Sequence, residues 1–146
     1  MWNEILTKKD VEKLMQIFGG FHDSCLKELK YISGAYVNGS LSMSPFNSKR
    51  TLSIIFQRQY HNPSVIELEF SELEKLNLMP CNEDYTCEIL GASMFIDENN
   101  SIFWYDDSPV SEPCDNYDGA WVKAKKARWR TVDNYIGDVQ VFTYNI

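Results

Sequence analysis

Basic residues all but disappear from the middle of this chain. Residues 61–118 hold one Lys or Arg against fourteen Asp and Glu, a local charge of −13, whereas residues 1–60 and 119–146 carry +3 each, giving −7 over 146 residues. Such a patch repels a phosphate backbone, so nucleic-acid binding through it is disfavoured, while a basic protein partner or a divalent cation is attracted. The plain alternative is a solvated rim that confers solubility.

Other scarcities exclude more. The four cysteines, Cys25, Cys81, Cys87 and Cys114, form neither a C-x-x-C pair nor a zinc-ribbon spacing. Reduced thiols serving mostly as core filler are expected, without a disulfide framework. Histidine occurs twice, as His22 and His61, with no H-x-H or H-x-x-x-H spacing, so no metal site is expected. No G-x-S-x-G elbow, P-loop or G-x-G-x-x-G fingerprint is present, which removes support for a serine hydrolase of that type and for a nucleotide cofactor. No apolar run is long enough to span a bilayer, and Glu4 breaks the opening stretch, so the expectation is a cytoplasmic chain with no membrane association.

What is there reads as one domain, 1–146, of class α+β, mainly β: an N-terminal helix packed on an antiparallel sheet or flattened sandwich. Thr7 and Asp10 form a short capping box, and Leu6 and Val11 are spaced for a hydrophobic staple. Val11, Leu14, Met15 and Phe18 then make one apolar stripe. Gly19-Gly20 ends the helix, with Phe21 folding back toward Met15. Leu52, Ile54 and Phe56 alternate with Thr51, Ser53 and Ile55, and "SVIELEF" puts Ile66, Leu68 and Phe70 on one face and Glu67 and Glu69 on the other. The Asn62-Pro63 turn joins the two as a hairpin.

Ser71 and Glu74 suggest a helical turn before Pro80. "YTCEILGASMFID" and "SIFWYDD" read as strands around an "ENN" turn, and a polar loop follows. The parity switch between Ala124 and Ala127 implies a bulge near Lys125, and "DVQVFTYNI" reads as a final strand.

Three constellations bear on function. His22 and Asp23 suggest a hydrolase or ligand site with a distant charged group such as Arg58 or Asp106. In an extended segment, however, their side chains diverge, and the favoured role is structural, the histidine meeting the carbonyl end of the helix. Ser24 and Cys25 follow too closely for activation, and a helix C-terminus raises a thiol pKa. Glu67, Glu69, Asp106, Asp107, Asp115 and Asp118 are the candidate binding carboxylates; with Glu112 the last four could face calcium, yet they lack an EF-hand pattern. "WVKAKKARWR" interleaves Trp121 and Trp129 with Lys125, Arg128 and Arg130, the composition of a single-strand groove, or else a basic stripe paired internally with the acidic middle. A basic stripe and an acidic patch on one molecule also suit self-association as a homodimer.

Phe21-His22-Asp23-Ser24 near the first helix end, followed by a strand closing on Phe70 and by Leu76-x-Leu78, resembles a set of small bacterial β-rich proteins that includes the immunity protein 50 group of polymorphic toxin systems. The resemblance implies a non-enzymatic protein that binds and blocks a toxin, without cofactor, and it transfers no contact residue.

Overall fold

In the computed structural model, which describes residues 1–142, the chain is an antiparallel sheet rolled around one helix. The elements are β1 (Asn3–Ile5), α1 (Lys8–Ile17), a tight turn at Gly19–Phe21, β2 (Ser24–Ile32), β3 (Tyr36–Val37), β4 (Met43–Ser44), β5 (Thr51–Arg58), β6 (Val65–Asn77), β7 (Ser93–Ile96), β8 (Ile102–Tyr105) and β9 (Trp121–Thr131). Six strands run β2-β5-β6-β9-β8-β7, and β1 pairs with β9 beyond the end of β8. The mainly β, α+β class read from the sequence is what forms. Among the described residues no helix is long and apolar enough to cross a membrane.

Helix α1 starts where the sequence places it. Asp10 Oδ2 accepts from the amides of Leu6 and Thr7 at 2.9 and 2.8 Å, satisfying donors that the first turn leaves open. Burial, in contrast, separates the proposed staple: Val11 is buried, but Leu6 is 72% exposed, because the preceding residues are drawn into β1. Val11, Leu14 and Phe18 join Leu52, Ile54, Phe56, Ile66, Leu68, Phe70 and Trp129 in one core.

The sheet is strongly curved. Phe56 of β5 and Trp104 of β8 are separated by β6 and β9, which in a flat sheet would put them about 14 Å apart. Their rings lie 5.2 Å apart, and both touch Phe21. Phe21 reaches them because Gly19, Gly20 and Phe21 all take left-handed backbone angles (φ 60, 63 and 63°). The ring packs edge-on against Phe18, in the core against which Met15 also lies. An isolated bridge, Ser24 to Ile89, links β2 to the segment before β7, nearly closing the roll.

Four expectations change. The helical turn at 71–80 does not exist: β6 continues to Asn77 because β9 pairs with it throughout, and Ser71 and Glu74 are strand residues. The bulge expected at Lys125 lies opposite, where the register shifts between Leu73 and Lys75 and Glu72 takes φ 52°. Of the first long strand read around 85–97, only Ser93–Ile96 forms, whereas Ile102–Tyr105 returns antiparallel as expected. Residues 138–142 are not a strand, and residues 143–146 of the proposed last strand lie outside the described residues.

The segment after β9 covers the outer face of β5. Tyr135 packs on Ile55 and Val65, and its hydroxyl donates to Glu28 Oε2 at 2.7 Å. Burial first, then that bond to a carboxylate, pushes the Tyr135 phenol up to about 12. The folded state therefore resists its ionisation. This contribution to stability is complete below the unfolded value of 10.0 and is lost as pH rises to about 12. Tyr135→Phe is expected to flatten the alkaline limb of the stability profile in that window; identical slopes in urea unfolding across those pH values would refute the assignment.

Candidate functional site

The register of β6 against β9 decides what the acidic middle can do. Glu67 faces Arg130 and Glu69 faces Arg128 as direct cross-strand partners. Each arginine donates through Nε to its carboxylate at 2.8 Å. Further along, Lys126 meets Glu72, and Lys123 and Lys125 meet Glu74, at 3.4–3.5 Å. Trp2 lies over both guanidiniums, its ring centroid 4.2 Å from Arg128 and 4.4 Å from Arg130. The basic stripe and the β6 acids thus neutralise each other along one ladder, strongest where the pairs are least exposed.

This corrects two sets of site residues. Glu67, 2% exposed and also accepting from Ser53 Oγ at 2.6 Å, and Glu69, bonded to Arg128, are internal partners, not a docking surface. Trp121 and Trp129 are buried in the two sides of the sheet, so the indoles that a single-strand groove would use for stacking are core. Arg128, Arg130 and Lys125 are engaged on β6 carboxylates.

His22 and Asp23 do not diverge. Asp23 takes φ 56°, which breaks the alternation of an extended chain and brings its Oδ2 to 3.0 Å from His22 Nδ1. The pair is exposed, 63% and 45% by side chain, and it does not border the cavity described next. His22 meets the Gly19 carbonyl of the following turn through its amide at 3.2 Å, but among the described residues its ring does not bond the carbonyls that end α1. Arg58 does so, donating through Nη2 to the carbonyl of Ile17 at 3.1 Å while its guanidinium lies over Phe18. The thiols also differ from expectation: Cys81 and Cys87 are exposed and Cys25 and Cys114 half-buried. The Cys25 thiol is pushed up, chiefly by burial and then by nearby Cys87.

With the ladder neutralised, the remaining carboxylates fall in two loops. Residues 78–92 contain Glu83, Asp84 and Glu88; residues 106–119 contain Asp106, Asp107, Glu112, Asp115 and Asp118; neither loop has a Lys, Arg or His. The loops are neighbours: Asn77 Nδ2 donates to the Gly119 carbonyl at 2.7 Å, and Gly91 lies against Ser108, where an added Cβ would come within 3.2 Å. Asp106 helps hold this end together, accepting from the Tyr117 hydroxyl at 2.6 Å and the Ala120 amide at 3.0 Å. Burial and this hydrogen bond raise the Tyr117 pKa well above the usual phenol range. Asp107, Asp115 and Asp118 are exposed, as are Glu83, Asp84, Glu88 and Glu112.

Between the 78–89 segment and the open side of the roll is a cavity of about 380 Å³ floored by Leu26, Leu78, Met79, Ile89 and Trp104, with Glu88 and Asp106 in its wall. Leu78 and Met79 of its lining are exposed, at 48 and 57%, as are Tyr85 and Leu90 of the same loop, at 72 and 69%. An apolar floor within an uncompensated acidic rim suits a cationic protein surface carrying apolar side chains. No group of three or more His, Cys, Asp or Glu is arranged to hold a metal ion among the described residues. Neither the family models, nor the curated proteins, nor the solved structures contain a match to this chain.

Proposed function

We propose that this chain is a protein-binding module without catalysis of its own, an immunity-type inhibitor that blocks a bacterial toxin by docking a basic surface on its acidic loops. One observation carries the reading. Eight carboxylates and no cationic side chain occupy the adjoining 78–92 and 106–119 loops, while the acids of β6 are matched one strand away. Charge left unmatched at one end of a fold otherwise built to neutralise itself raises the encounter rate with a partner of opposite sign. The exposed Leu78, Met79 and Tyr85 supply the apolar area that holds the complex once it has formed.

The test is capture from native lysate at low salt, followed by binding kinetics with the captured protein. Replacing Glu83 and Asp84, Asp115 and Asp118 with their amides is expected to slow association about tenfold or more and to flatten its salt dependence. Those side chains are exposed, so folding should be unaffected. A complex whose association rate ignores both salt and these substitutions would sink the proposal.

A further inference from the structure

Residues 31–48 contain no charged side chain, yet they are among the most exposed of the molecule. Within them β3 and β4 form a small hairpin that carries Tyr36, Leu41, Met43 and Phe46 at 62, 85, 68 and 70% exposure. Its turn is hydrogen-bonded from within. Asn38 Oδ1 accepts from the Ser40 and Ser42 amides at 3.0 and 3.1 Å and from the Ser40 hydroxyl at 2.8 Å, and the Leu41 amide reaches the Asn38 carbonyl at 3.0 Å. The base is fixed as well: the Ser33 carbonyl accepts from the Lys49 and Arg50 amides at 2.9 and 3.2 Å. A hairpin so prepared loses little hydrogen bonding and little conformational freedom on being buried.

Leu41 sits against two of its own preferences, with φ 66° and almost full exposure, at a position where Asn or Gly would be relaxed. At the foot of the hairpin stand Lys30 and Lys49, exposed and without a carboxylate in ion-pair range among the described residues. The molecule thus carries an apolar knob with a basic collar, and elsewhere an apolar cavity with an acidic rim.

We infer that the two belong together across copies: the 36–46 hairpin of one chain seats in the cavity under the 78–89 segment of a second. If a two-fold axis lets each copy give and receive a knob, the interface is isologous and closes into a dimer; otherwise the contact is heterologous and propagates. The inference shares the acidic loops with the proposed function and names a second copy as their occupant, so self-association would compete with the toxin and hold the surface covered until a tighter partner displaces it.

Sedimentation of the pure chain from micromolar to near-millimolar concentration tests this. Self-association is expected, weakening as salt rises. Leu41→Asp, which suits its left-handed backbone, and Met79→Glu are each expected to weaken it about tenfold or more; both side chains are exposed, so both variants should fold. A mixture of the two should associate again as a one-to-one pair, because one variant keeps its cavity and the other its knob. A monomeric wild type, association indifferent to either substitution, a mixture that stays monomeric, or a hairpin that binds lipid vesicles in place of protein would overturn the inference. A foreign basic protein captured by a chain that is monomeric when pure would end this inference alone, and self-association without any foreign partner would end only the proposed function.

Discussion

Phe21→Ala is expected to remove about 3–5 kcal/mol of folding stability, the largest loss of any single substitution in this chain. The ring is fully buried and sits at the meeting point of Phe18, Phe56 and Trp104, with centroid separations of 5.1, 4.9 and 5.8 Å. It therefore ties the helix to both flanks of the rolled sheet, and its removal opens a void that rigid neighbours cannot fill. Its backbone provides a second, sharper expectation. At φ 63° an aromatic residue is strained, and the packing of the ring is what holds it there. Glycine ordinarily destabilises relative to alanine, but here it relieves the strain, so Phe21→Gly should be at least as stable as Phe21→Ala. Urea unfolding of the two variants checks both points; a loss under about 1 kcal/mol for the alanine variant would contradict the hub.

Arg130→Met is expected to be the next most damaging, by about 3–5 kcal/mol, because it takes the guanidinium from a carboxylate that is buried in the sheet. Glu67 is 2% exposed and its Oε2 receives the Arg130 Nε–H at 2.8 Å. The companion variant, Glu67→Met with Arg130→Met, replaces two desolvated charges with apolar volume and should recover much of the loss, since the pair itself repays little more than its desolvation. Arg128→Met serves as the comparison. Its side chain and that of Glu69 are more exposed than the Arg130 and Glu67 pair, so it should cost clearly less. Equal losses for the two arginines, or no recovery in the double variant, would show that burial does not grade this ladder.

The helix was legible because its determinants are local. Thr7, Asp10 and the stripe through Phe18 lie within three turns of one another. The alternation in β5 and β6 was equally plain, because one side of each faces the core. The ladder was half legible: E-x-E at 67–69 and R-x-R at 128–130 share a two-residue period, but the register that joins them is a property of strands some sixty positions apart. The same long-range pairing overrode the capping signal at Ser71 and Glu74, where local chemistry pointed to a helix and β9 imposed a strand.

His22 and Asp23 were misplaced for a smaller reason. Alternation applies to extended backbone, and a single left-handed residue, Asp23, suspends it. The uncharged 31–48 stretch was visible in the sequence, yet its glycines and serines masked strand character, and only the Asn38 hydrogen bonds show why it stands as a hairpin. Of the acidic loops, composition revealed the charge but not which carboxylates would be consumed. That depended on Asp106 turning inward to Tyr117 and Ala120.

The pairing of β1 with β9 joins Asn3 to Trp129 across 126 positions. On the ribosome, β1 must therefore wait until residues 127–129 have emerged before it finds its neighbour, and contacts so remote in sequence close slowly. Until then Trp2 lacks Arg128 and Arg130 to cover, and Ile5 lacks its strand partner Ala127. A nascent chain halted before residue 121 would thus lack Val122, Ala124, Ala127 and Trp129 from the core that its helix enters, which makes that window the one in which a chaperone has most to protect.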